Sequence, residues 1–176
     1  MIAALLLMAC DNAENSVYRQ YPCNFIFDTT LHPAPCQLTM ILGNPGQFAV
    51  VSTSLSSGIV HIQTIRNYDH AREDVPLTTK RESQIRFLLG ANNAIIIGCS
   101  SYTSQLVCYE GQCPNCLDSG GVNHPLTFSP NGQQLYCQHC QRYYDVNNGV
   151  VATGNPGRQL YSYKAAYDGS VLRAWN

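Results

Sequence analysis

Apolar and polar residues alternate in short runs along most of the chain, and no long stretch keeps a helical period. Cys23-Asn-Phe-Ile-Phe-Asp28 predicts a strand that ends at Thr29-Thr30. Residues 38–42, 47–53 and 58–66 predict further short strands, broken at Gly43-Asn-Pro-Gly46 and at 54–57. His32-Pro-Ala-Pro-Cys36 is a turn-rich link, because a residue before proline is pushed out of the helical region. Residues 67–76 hold Asp69, His70, Arg72, Glu73 and Asp74. That mixture invites a catalytic reading, but no spacing ties the groups together, and a solvated loop is expected. Thr79-Lys-Arg-Glu82 has the spacing of a helix capping box, with Gly90 as a stop, while Ile85, Phe87 and Leu89 alternate like a strand. Both readings stay open for this segment.

Residues 94–99 and 105–109 form the clearest hairpin, turning at 102–104. With the turn centred between Thr103 and Ser104, Cys99 and Cys108 fall opposite each other. A cross-strand disulfide is then one option, which leaves Cys23 and Cys36 as the second pair; buried free thiols are the other option. Near the C-terminus, residues 159–167 and 170–175 flank Asp168-Gly169, a two-residue hairpin signal. Tyr161, Tyr163, Ala165 and Tyr167 share one face of that strand. Such a stripe can bind sugars, but sheet packing with wet hydroxyls is the expectation.

Composition supports an all-β reading. The 176 residues suffice for one domain with its own core, and the sequence carries 11 tyrosines, 13 glycines and 9 prolines. Charged residues make up 12%, and the net charge of −1 provides no field to attract nucleic acid or an anionic membrane. No repeat or low-complexity tract is visible.

Nine cysteines require an account. Four of them form Cys113-Pro-Asn-Cys116 and Cys137-Gln-His-Cys140. Two CxxC knuckles at this separation turn two pairs of sulfurs toward one point, which is the ligand pattern of a tetrahedral metal site. Two plain disulfides are the alternative for an exported chain. Phe128-Ser-Pro-Asn-Gly132 supplies a turn between the knuckles, Gln134-Leu-Tyr-Cys137 alternates into the second, and Asn148-Gly149 turns the chain after it. The second knuckle is thus expected to join two strands of a meander.

The first cysteine stands apart. Leu7-Met8-Ala9-Cys10 ends an apolar run and is followed by polar residues. It resembles the lipobox of a bacterial lipoprotein signal peptide, with Met8 and the lack of an upstream cation as departures from the pattern. The resemblance implies cleavage before Cys10 and its lipidation, and the true start is expected upstream. The expected organisation is a partial signal over 1–10, a polar tether over 11–20 and one domain over 21–176. Membrane attachment through the lipid would place the protein in the bacterial cell envelope, facing the periplasm or exterior, with a redox or envelope protein as a conceivable partner.

From about Ala94 onward the order of elements resembles the Rieske iron–sulfur fold. A hairpin leads into Tyr109-Glu-Gly-Gln-Cys-Pro-Asn-Cys116, a strand enters Tyr136-Cys-Gln-His-Cys-Gln-Arg-Tyr-Tyr-Asp145, and Gly154-Asn-Pro-Gly-Arg-Gln-Leu160 leads to a closing hairpin. The resemblance covers about half the chain. It implies an antiparallel β-sandwich base with a small metal-binding subdomain, like a zinc ribbon or rubredoxin, over about 109–148. The ligands depart from the family, which uses C-x-H and C-x-x-H. Asn115 and then Cys116 stand where the first histidine would, and Cys140 stands where the second would; His139 has no counterpart in the first knuckle. What the resemblance implies is therefore the fold, with Cys113, Cys116, Cys137 and Cys140 as a four-thiolate site.

Three functions compete for that site. A closed tetrathiolate holding Zn, or Fe in a rubredoxin-like way, would staple loops without catalysis. An all-cysteine [2Fe–2S] cluster would transfer electrons at a potential below that of histidine-ligated clusters. A CxxC thiol–disulfide redox protein needs a helix behind its first cysteine, and Leu117-Asp-Ser-Gly-Gly121 predicts none. Hydrolase and transferase signatures are absent from the sequence, and an enzyme is not the expectation.

Overall fold

A computed structural model describes residues 18–121 and 123–176; the lipobox expectation at Cys10 lies outside the described residues. The strands are β1 (Cys23–Asp28), β2 (Phe48–Ser56), β3 (Ile59–Arg66), β4 (Arg72–Pro76), β5 (Leu88–Leu89), β6 (Ala94–Cys99), β7 (Leu106–Glu110), β8 (Leu126–Phe128), β9 (Gln134–Cys137), β10 (Tyr143–Asp145), β11 (Val151–Thr153), β12 (Ser162–Tyr167) and β13 (Val171–Trp175). Two short helices, α1 (Gln37–Met40) and α2 (Pro114–Asp118), complete the set with one 3-10 turn at Glu82–Gln84.

The strands form a nine-stranded sheet in the order β4-β3-β2-β6-β7-β12-β13-β1-β5 and a four-stranded sheet in the order β11-β10-β9-β8, antiparallel throughout. The large sheet is bent at β12. Ser162 and Tyr163 pair with β7, whereas residues 164–167 pair with β13, so this strand passes from one half of the base to the other. One core lies between the halves. Phe25 and Phe27 of β1 meet Ala49 and Val51 of β2, Ile95 and Ile97 of β6, and Leu172 of β13 there. Each large aliphatic or aromatic side chain so buried contributes about 1.5–3 kcal/mol of transfer free energy.

The other face of β2, β6 and β7 carries the small sheet. Phe48, Ile96 and Tyr109, out of phase with the first core by one residue, pack against Leu126, Leu135, Tyr144 and Val146. Gly98 permits this seating, since a Cβ there would lie 2.3 Å from the Phe48 ring. Asn67 clamps the two sheets together. Its side-chain oxygen accepts from the Phe48 amide at 2.9 Å, and its amide donates to the carbonyls of Gly46 and Gly132 at 2.9 and 3.0 Å. Gly132 has φ +69°, and a Cβ there would approach the Asn67 carbonyl oxygen to 2.3 Å.

Several local expectations are corrected. Residues 38–42 do not form a strand: Leu38 and Ile41, three apart, enter the core from α1. The helix is set by a distant group, for the Gln37 amide donates to Glu73 Oε2 of β4 at 2.8 Å. Only 67–71 is a turn in the expected loop, where Arg66 clasps Asp69 with two hydrogen bonds; residues 72–76 are the edge strand β4. The segment 79–90 is both things at once. Thr79 and Glu82 make the reciprocal capping-box bonds around the 3-10 turn, and Leu88–Leu89 then joins β1. Its carboxylate also meets His32 at 2.6 Å.

The hairpin of β6 and β7 has a different register from the expected one. Ile97 faces Cys108, and Cys99 faces Leu106. Ser104 adopts φ 56°, and its amide bonds the Ser100 carbonyl at 2.8 Å, which makes the loop asymmetric and slides β7 by two residues relative to β6. All eight described cysteines are free thiols. The Cys36 sulfur stands 3.5 Å from Glu73 Oε2 and is not bonded to Cys23; Cys23 and Cys108 are both buried in the first core. Of the expected tyrosine stripe, Tyr161, Tyr163 and Ala165 pack against the first core, whereas Tyr167 is exposed.

Candidate metal centre

The two knuckles grow from the ends of regular elements. Cys113 caps the N-terminus of α2, with Pro114 in its first turn, and the amides of Cys116 and Leu117 return to its carbonyl at 3.1 and 3.0 Å. Cys137 ends β9. There the Gln141 amide bonds the Cys137 carbonyl at 2.9 Å, with Gln141 at φ 58°, and the chain reverses into β10. Both reversals curl residues i and i+3 toward one point.

The sulfurs of Cys113, Cys116, Cys137 and Cys140 all lie within 4.8 Å of one another and could hold a metal ion. The contacts run across the knuckles: Cys113 to Cys140 is 3.5 Å, and Cys116 to Cys137 is 3.7 Å. A tetrahedral ion with Zn–S bonds of ~2.3 Å has sulfur–sulfur edges of ~3.8 Å, so the donor set fits one such ion. Three of the four cysteines are buried, and Cys140 is partly exposed.

Neighbours that the motif does not reveal complete the site. The Tyr144 hydroxyl is 3.2 Å from the Cys113 sulfur and 2.8 Å from the Asn115 side-chain amide that donates to it. Asn115 also exchanges bonds with the backbone of Arg158, and Arg142 donates to the carbonyls of Asn155 and Pro156. These bonds hold the loop 154–158 beside the knuckles. Asp118 fixes the same loop through Arg158 Nε at 2.7 Å and bonds the Tyr161 hydroxyl. His139 is exposed; its Nδ1 lies 3.5 Å from the Cys116 sulfur, and its ring packs on His124 at 4.1 Å. Tyr144 and Arg142 had one faint signal in the sequence, their place on the strand leaving the second knuckle. The loop and His124 had none.

Burial disfavours the thiolate at the first knuckle, pushing Cys113 up to about 11 and Cys116 higher still. At Cys140 burial acts in the same direction, but hydrogen bonds from the Arg142 side chain and backbone outweigh it and bring the thiol down to about 7. A metal ion would reverse this order, because a coordinating thiol is deprotonated outright. Contrary to expectation, a one-turn helix does follow Cys113. It does not make a reactive thiolate, since its cysteines are pushed up.

Residues Cys113, Cys116, Cys137 and Cys140 are thus brought together, whereas Cys23, Cys36, Cys99 and Cys108 stand away from them in or beside the base. Among the described residues no helix is long and apolar enough to cross a membrane. No family model, no curated protein and no solved structure matches the chain.

Proposed function

We propose that this chain is a Rieske-like metal-binding module, without catalytic activity of its own, whose four cysteines hold a single ion. The observation that carries the reading is the mutual approach of all four sulfurs to within 4.8 Å. A binuclear cluster sets two irons and bridging sulfides between its thiolate pairs and needs those pairs farther apart. Zinc is the first choice, since four cysteines are a closed structural zinc set, and mononuclear iron is the second. When bound, the ion would cross-link α2 and the β9–β10 turn. Cys113, Cys116, Cys137 and Cys140 would supply the thiolates, and Tyr144 and Arg142 would donate hydrogen bonds to them. The insertion of the small sheet between β7 and β12 of a two-half base supports the Rieske-like assignment.

Electron transfer is the second reading, favoured by one observation: Cys140 is the ligand that meets solvent. With iron in the site, it would be the exposed edge facing a redox partner. Metal analysis of anaerobically purified protein separates the readings. One zinc per chain in a colourless protein, lost in Cys116→Ser, is expected. Two irons per chain with acid-labile sulfide would replace the mononuclear reading with the all-cysteine cluster. We further propose that Cys10 carries a lipid that anchors the module to the bacterial envelope.

A further inference from the structure

The two ends of the base differ. At one of them β1 and β12 start, β7 and β13 finish, and β2 turns over into β3. Hydrogen bonds tie these pieces together. Asn93 exchanges two bonds of 2.7 Å with Thr53 of β2, and the Gly90 amide donates to the Pro22 carbonyl at 3.1 Å. The Asn176 side chain donates to the Tyr18 and Tyr21 carbonyls at 3.0 and 2.9 Å. The β2–β3 hairpin projects past both neighbours, since pairing with β6 stops at Ser52 and pairing with β4 stops at His61. No charged residue occurs over 52–60. Leu55, 72% exposed, is the most exposed large apolar side chain among the described residues, and Ile59 is exposed on the other face of the hairpin. Trp175, exposed at the same end, pairs with Lys164. At the opposite end the exposed Leu31 and Tyr68 lie in turns with Asp28 and Asp69, whose ion pairs are costly to take out of water.

We propose that the first of these ends is a membrane-facing surface, on which the tip of the β2–β3 hairpin and Trp175 enter the headgroup layer of a phospholipid bilayer. The inference rests on the lipid at Cys10 proposed above. The chain enters the fold at this end through Tyr18, whose amide bonds the Ser162 carbonyl at 2.9 Å and whose ring stacks on Tyr161 at 3.8 Å. Cys10 precedes Tyr18 by eight residues, which reach at most ~29 Å. A lipid there holds the fold close to the bilayer by this end. The chemistry of the end suits that place. The three residues of β2 beyond Thr53 extend the hairpin by ~10 Å, about the depth to which interfacial segments bury their apolar side chains. Tryptophan favours the headgroup level, and the exposed Lys164 and Arg19 can meet lipid phosphates. β7 leaves the same end for Cys113, which keeps the metal centre near the bilayer.

The test reads the single tryptophan, Trp175. The full lipidated chain is reconstituted in phosphatidylcholine vesicles with and without bromine on the acyl chains. A second form, Cys10→Ser fused behind a transmembrane helix, is held at the bilayer whether or not Cys10 carries a lipid. In both forms Trp175 emission should move to shorter wavelength on vesicles and lose intensity with the brominated lipid. Leu55→Ser combined with Ile59→Ser should lessen both effects while leaving zinc content and melting temperature unchanged. Tyr68→Trp combined with Trp175→Phe places the probe at the opposite end and should show neither effect. Absence of quenching in the helix-anchored form, equal quenching at positions 68 and 175, or quenching of Trp175 that ignores the hairpin replacements would overturn the membrane face. Quenching in the helix-anchored form alone would uphold the face and remove the lipid at Cys10.

Discussion

The Tyr144 hydroxyl accepts a hydrogen bond from the Asn115 side chain, which leaves its own proton for the Cys113 sulfur, 3.2 Å away. Tyr144 is wholly buried in the core of the small sheet. One side chain thus joins that core, the first knuckle and, through Asn115, the loop 154–158. Tyr144→Phe keeps the ring and removes the donor. Chelator competition should show metal affinity reduced by about 10–100-fold, the usual effect of losing such a partner. Unchanged competition would mean that the hydroxyl is only a packing group.

Asn67→Ala should weaken the seam between the sheets. It leaves the Phe48 amide and the Gly132 carbonyl unpaired in a buried place, at a cost of about 2–4 kcal/mol. Hydrogen exchange should then rise first in β8–β10 and not in β1 or β13. Uniform acceleration over the whole chain would show that the two sheets open together.

Two buried glutamates give opposite pH dependences. Burial raises Glu110 above its usual 4.5, only partly offset by its bonds from Tyr163 and the Ala91 and Gln112 amides. Between 4.5 and its folded value the native state holds a proton that the unfolded chain has lost, so stability falls as pH rises through that window. Glu82 is also buried, but bonds from Thr79 and His32 overcome the burial and lower it below 4.5. Its contribution is present above 4.5 and is lost as pH falls through the folded value. Denaturant midpoints across pH 3–7 should therefore lose the upper slope in Glu110→Gln and the lower slope in Glu82→Gln. Identical profiles for wild type and both variants would contradict these assignments.

Behind a complete lipoprotein signal in a bacterial host, the chain should partition into the detergent phase, and Cys10→Ser should release it to the aqueous phase. Equal partitioning of both forms would remove the lipid anchor.

Local pattern alone was enough for β1 and β6, for the meander around the second knuckle and for the Asp168-Gly169 turn, because each follows from a two-residue period ended by a turn former. The four ligands were legible for the same reason: i and i+3 curl to one point whatever surrounds them. Contacts between distant segments were not legible. Residues 37–40 become helical because Glu73 arrives from β4, and a left-handed Ser104 sets the register of β6 and β7. Local alternation fits either register. Which cysteines share a core depends on how β12 folds one half of the base over the other, and that is fixed by burying Phe25 and Phe27 of β1 with Ala49 and Val51 of β2 in one core. That fold buried Cys23 and Cys108 in one core and set Cys36 beside a carboxylate. The return of β10 past the knuckle likewise placed Tyr144 on Cys113, from 31 residues away.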